Sequence, residues 1–220
     1  LHDALPIFFT IDPVSITVEM DEAYVYSPDG VCPVPVVKNS LGEILEKDVD
    51  YELSYGENNT VGTDAGSVTI TGKGDYRAAE PRTITFDITA LDISEATVAC
   101  EYDNTTQEAY FSVFPDDIDV QLDGRKLTYG TDFGIKAYYT DDNSTINYSD
   151  RGWYLSKVGT AHFTVTGKGN YTGTCEETFD ITIEKKKVTI NADGPTELTL
   201  EYGSTDNKII IVHEPTDVNV

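Results

Sequence analysis

Short runs in which apolar and polar residues alternate recur along this chain, separated by clusters rich in Gly, Asp, Asn and Thr. Alternation sends successive side chains to opposite faces of a strand, and short strands broken by regular turn signals predict a β-sandwich. In a first segment the predicted strands are 14–20, 34–38, 51–55, 67–71 and 83–88. In a second segment they are 93–101, 109–114, 119–122, 126–129, 133–139, 161–166 and 178–183. No stretch keeps a convincing helical period; 41–47 comes nearest and is too short to commit to a helix.

The strands fall into a repeating order. Thr71-Gly72-Lys73-Gly74-Asp75-Tyr76 returns as Thr166-Gly167-Lys168-Gly169-Asn170-Tyr171, each copy closing one alternating run and preceding another. The runs that follow carry Phe86-Asp87-Ile88 and Phe179-Asp180-Ile181. A long segment recurring in order marks a tandem array. The boundaries read as one repeat over 12–88, a second over 89–183, and a partial third over 184–220. Residues 8–11 align with the end of a preceding repeat. Residues 1–7 resemble a translated sequencing adapter and are set aside. The Gly-Lys-Gly pairs lack the spacing and the following helix of a phosphate loop. They read instead as tight turns, with Tyr76 and Tyr171 folding back onto each sandwich. Asp123-Gly124 has the composition of a type I′ hairpin turn, Gly42 has the same role in the first repeat, and Asp50 reads as a turn cap.

The second repeat strings together Gly-Thr-Asp-Phe, Val-Gly-Thr-Ala, Val-Thr-Gly-Lys-Gly-Asn-Tyr-Thr-Gly-Thr and Thr-Phe-Asp-Ile. Together these resemble the Ig-like repeats of bacterial cell-surface proteins. The segment 187–193, with Glu201-Tyr202-Gly203, is similar to the related MBG-type repeat. The resemblance runs from Phe8 to Val220. It implies an all-β chain of tandem Ig-like β-sandwich domains, two complete and a third truncated, of the kind found in adhesins, stalks and multidomain secreted proteins. It supplies no catalytic residues.

Charge narrows the partners. The chain has 220 residues and a formal net charge of −24. A nucleic-acid backbone or an anionic membrane surface calls for a positive footprint, so neither fits. No apolar run approaches the roughly 20 residues of a membrane-spanning helix, which argues against direct membrane insertion. The acidity reads mainly as solubility and mutual repulsion between copies, with cation binding as the functional alternative. Of three cysteines, Cys100 and Cys175 sit in the predicted first and last strands of the second repeat and would form a disulfide if those strands adjoin. No Cys/His cluster has zinc spacing.

From Phe133 to Gly159 the second repeat spends 26 residues, where the first spends 15 from Tyr51 to Gly66, and the extra segment is 140–157. Loops on a rigid scaffold are where binding is usually placed. Tyr148, Trp153 and Tyr154 form a candidate sugar platform there; the alternative is that Trp153 starts a strand and packs inward. Asp141, Asp142, Asn143 and Asp150 are a candidate Ca2+ site if the loop folds back on itself. Five Asn-x-Ser/Thr triplets, at Asn58, Asn104, Asn143, Asn147 and Asn170, would accept glycans only in a eukaryotic secretory setting. His162 and His213 lie near no nucleophile motif. The expectation is a non-catalytic structural or adhesive repeat module of an extracellular protein, secreted or at the cell surface. It would act as a stalk or multivalent array, with surface glycans or proteins and neighbouring repeats of the same chain as partners. The alternative is an accessory carbohydrate-binding module of a large secreted enzyme.

Overall fold

A computed structural model describes residues 15–185, apart from Ala78 and Ala109. The adapter-like residues 1–7, the segment 8–11, His213 and nearly all of the expected third repeat lie outside the described residues. The described chain is all-β, with several sheets, no α-helix and two short 3-10 turns. The Leu41–Lys47 stretch accordingly holds no helix. The chain divides into two compact units.

The first unit comprises the described residues up to Ile93 together with Gly130–Phe133 and Gly167–Gly173. Its strands are β1 (Ile16–Glu19), β2 (Ala23–Val25), β3 (Val36–Asn39), β4 (Tyr51–Tyr55), β5 (Gly62–Gly72), β6 (Arg82–Thr89) and β7 (Leu91–Asp92). β1 and β3 pair antiparallel, and a second sheet has the order β2-β6-β5-β4 with β2 parallel to β6. Alternation along β5 and β6 sends Val68, Ile70, Phe86 and Ile88 inward. There they meet Val37 of β3 and Tyr51 of β4 in one buried cluster. Burying each large apolar side chain contributes about 1.5–3 kcal/mol.

The glycines of the recurring loop have two separate reasons. A Cβ on Gly72 would stand 2.0 Å from the Tyr76 carbonyl oxygen, so the loop closes only over a bare backbone. Gly74 has φ +53, a left-handed conformation that glycine adopts readily. The closed loop returns Tyr76 to the side of the core. In the second copy a Cβ on Gly167 would be 2.5 Å from the Thr172 nitrogen, and Gly169 has φ +65. Tyr171 is buried as expected, but within the first unit. It meets Tyr26 edge-on at 5.5 Å, and its segment pairs in parallel with β7.

Asn58 is buried and has φ +47. Its side-chain nitrogen donates to the Val31 and Ser67 carbonyls at 2.8 and 3.0 Å, and its side-chain oxygen accepts from the Ser67 N–H at 2.8 Å. The side chain is a structural clamp and presents no acceptor for a glycan. Asn58→Ala should cost about 1–3 kcal/mol for each buried group it leaves unpaired. The effect should appear as a lower denaturant midpoint; an unchanged midpoint would show that the clamp is dispensable.

The second unit comprises Ser94–Tyr129, Gly134–Thr166 and the described residues from Thr174. Its strands, together with those that extend into it, are β8 (Thr97–Cys100), β9 (Thr105–Glu108), β10 (Phe111–Val113), β11 (Ile118–Leu122), β12 (Arg125–Lys126), β13 (Phe133–Tyr139), β14 (Thr145–Ile146), β15 (Tyr148–Ser149), β16 (Gly152–Leu155), β17 (Gly159–Gly167) and β19 (Phe179–Glu184). The segment Tyr171–Thr172, described above beside β7, is β18. Three sheets result: β12-β11-β8, β10-β16-β15 and β14-β13-β17-β19-β9. The order β9-β19-β17-β13 repeats the order β2-β6-β5-β4, and in both the short end strand runs parallel to its neighbour. Asp123 and Gly124 both have positive φ, at +50 and +76, and join β11 to β12 in the expected tight hairpin. Phe163 and Phe179 stack at 4.5 Å in a core that also holds Ala161, Val165, Ile181 and Ile183.

The expected disulfide is not formed, and Cys100 is a free thiol. Cys100 pairs with Ile118 at one end of β8. Cys175 lies beside β17, and the next residue, Glu176, donates its N–H to the Ser94 carbonyl. Ser94 lies in the turn before β8, whereas Cys100 is the last residue of that strand, on the order of 10 Å along it from Thr97. A disulfide needs Cα atoms within about 7 Å.

Candidate binding cleft

The longer connection of the second unit is built as a fork. β14 pairs with β13 through Ala137↔Ile146 and Tyr138↔Thr145. Two residues after Ile146, Tyr148 pairs with Trp153 in the β15–β16 hairpin of a different sheet. Asn147 is therefore the one residue over which the chain leaves one sheet for another. A cleft of about 430 Å³ opens in this fork. Its inner side is apolar, formed by the buried Ala137, Ile146 and Trp153. Tyr148, 47% exposed, stands at its edge. The polar lining comes from Lys136, Tyr138, Asn143, Thr145 and Asn147.

The three aromatic candidates do not share a face. Trp153 lies opposite Val113 in the β10–β16 pair and is 1% exposed. Its ring contacts Tyr129 at 5.5 Å, Phe163 at 6.2 Å and Tyr148 at 4.7 Å. It is a core residue, so the inward alternative holds for it. Tyr154 follows it on the same strand and takes the opposite face, beside Ser112. There it stacks with Tyr110 at 5.9 Å under the Arg151 guanidinium, which lies 5.5 Å from its ring centre. Only Tyr148 both reaches solvent and lines the cleft. The period-two alternation of a strand separates residues 153 and 154, and that signal was present in the sequence. Tyr110, with φ +71, was not foreseen as a partner.

The acidic candidates do not converge either. The Asp142 carboxylate is engaged by the Lys157 ammonium and by the Ser144 N–H and hydroxyl. These contacts hold it well below the usual carboxylate range, chiefly through the Lys157 hydrogen bond. Asp150 sits at the tip of the β15–β16 turn, and Asn143 has φ +55 and lines the cleft. Among the described residues no three His, Cys, Asp or Glu side chains form a metal-holding group. The connection is instead pinned by Tyr139, which sequence reasoning did not single out. Its hydroxyl accepts the N–H groups of Ser156 and Lys157 at 3.0 Å each, and the Lys157 ammonium lies 5.2 Å from its ring centre.

His162 Nδ1 and Asp180 Oδ1 are 2.6 Å apart on neighbouring strands, with the Tyr138 ring 5.1 Å from the imidazole. Among the described residues no serine or cysteine side chain is hydrogen-bonded to this pair.

Burial pushes the Cys100 thiol and the Tyr51, Tyr55 and Tyr129 phenols upward. An acid whose pKa is raised by folding keeps its proton longer in the folded chain. The unfolded chain therefore ionises first, above about pH 8.5 for a thiol and about pH 10 for a phenol. Stability is expected to be flat through neutrality and to fall as pH rises through that range. Melting temperatures measured across the alkaline range check this; a rise would contradict the sign.

No family model matches the chain, and a search of curated proteins returns no relative. Among the described residues no helix is long and apolar enough to cross a membrane.

Proposed function

We infer that the chain is a non-catalytic structural and adhesive module, made of tandem Ig-like β-sandwich repeats, from a bacterial cell-surface or secreted protein. The observation that carries this is the recurrence of one strand order, β2-β6-β5-β4 and β9-β19-β17-β13, around two copies of the same Gly-Lys-Gly loop. Repetition adds length and multiplies weak contacts, so avidity outweighs any single site. The net charge of −24 keeps neighbouring copies apart and soluble. The matching experiment joins increasing numbers of copies and measures retention of coated beads on glycan or bacterial surfaces under flow. Retention rising more steeply than copy number supports a multivalent array. No retention at any copy number removes adhesion and leaves spacing alone.

A second reading, an accessory carbohydrate-binding module of a larger secreted enzyme, is favoured by one feature. The cleft in the β14–β15 fork joins an exposed tyrosine to unengaged amides.

A further inference from the structure

We propose that the β14–β15 fork is a binding site for a neutral sugar, with a pyranose ring against Tyr148 and its hydroxyls held by Asn143 and Asn147. This rests on the carbohydrate-binding reading and narrows it to one place, one ligand class and a different residue set. Trp153 and Tyr154 are not contact residues in it.

Three observations converge on the cleft. Its volume, about 430 Å³, lies within the range of small-ligand sites, and its inner side is apolar with a polar edge. The Tyr148 ring is about half exposed, and it is contacted by the rings of Trp153 at 4.7 Å and Tyr129 at 5.7 Å. A ring already fixed by its neighbours loses little freedom on binding. An aromatic face offers an apolar, electron-rich surface suited to the C–H face of a sugar ring.

The amides supply the polar half. Each has two donors and an acceptor, which matches hydroxyls that both donate and accept. Among the described residues, the side-chain amides of Asn143 and Asn147 bond to no other group, while nearby Asp142 is held by Lys157 and Ser144. The Asn143 backbone is anchored by its N–H to the Tyr139 carbonyl at 2.8 Å. Lys136 is the one charged residue in the lining, on a chain of net charge −24, so an anionic glycan would approach against the overall field.

The test uses the chain's single tryptophan, Trp153, whose indole borders the cleft and reports its occupancy. Soluble cello-, chito-, manno- and xylo-oligosaccharides are titrated against the whole chain and followed by Trp153 emission, with oligogalacturonate as the charged comparison. Saturable binding of at least one neutral series is expected. Tyr148→Ala and Asn147→Ala should each weaken it about tenfold or more, and Tyr154→Ala should leave it unchanged. Because Tyr148 also packs on Trp153, the Asn147 variant, at an exposed position, separates lost binding from lost stability. Binding that survives both cleft substitutions would overturn this site while leaving the carbohydrate reading standing elsewhere on the module. Preferential binding of oligogalacturonate would overturn the neutral-ligand assignment. No binding by the unsubstituted chain, checked by calorimetry, would overturn both the site and the reading on which it rests.

Discussion

Trp153→Ala is expected to cost the second unit about 3–5 kcal/mol, the range for truncating a buried aromatic ring. The indole is 1% exposed and meets three aromatic rings, those of Tyr129, Tyr148 and Phe163. Alanine would leave a cavity bordered by Tyr129, by Tyr148 of β15 and by Phe163 of β17. Trp153→Phe should lose much less because it keeps part of the filled volume. Denaturant unfolding followed by far-UV circular dichroism measures both. A loss below about 1 kcal/mol for the alanine variant would mean that the ring is not packed as described. This also decides how sugar binding must be tested. Binding lost in Trp153→Ala would be indistinguishable from lost folding, so Tyr148 and Asn147 are the informative positions.

Gly72→Ala and Gly167→Ala should be the most damaging of the conservative substitutions in the recurring loops. The added methyl would stand 2.0 Å from the Tyr76 oxygen in one copy and 2.5 Å from the Thr172 nitrogen in the other. Both obstacles are backbone atoms, which cannot rotate away as a flexible side chain can. Overpacking of this kind costs roughly 1–3 kcal/mol and sometimes more, and here relief requires the loop itself to open. Gly124→Ala provides the contrast. Nothing lies within 4 Å of its Cβ position, so its penalty comes only from φ +76 and should be about 1–2 kcal/mol. Thermal melts of the three variants should therefore separate by mechanism. Gly72→Ala melting at or above Gly124→Ala would show that the close approach is relieved cheaply.

Much of the scaffold was legible because its signals are local. The runs at 51–55 and 133–139 alternate cleanly and fold as β4 and β13 with those bounds. The Asp123-Gly124 turn and the glycines of the recurring loops follow from backbone sterics alone. β2 and β9 were missed because they are three and four residues long and joined by parallel pairing to distant strands. β9, Thr-Thr-Gln-Glu, has no apolar residue to betray it. The fork was also hidden. Its segment was recognisable as an insertion, but the transfer of the chain between sheets at Asn147 depends on non-local pairing that no periodicity records. The cysteine pairing failed for a related reason: Cys100 ends β8, but Cys175 lies ahead of β19 and outside it, and the pairing that places each of them is non-local.

Mechanical unfolding of a single molecule carrying several copies of the chain in series tests the structural role most directly. If the chain is a load-bearing repeat module, pulling without any ligand should give a sawtooth of discrete events. Each event should lengthen the tether by about 3.5 Å for every residue released from a folded unit. A smooth extension at low force, with no discrete events, would contradict that role.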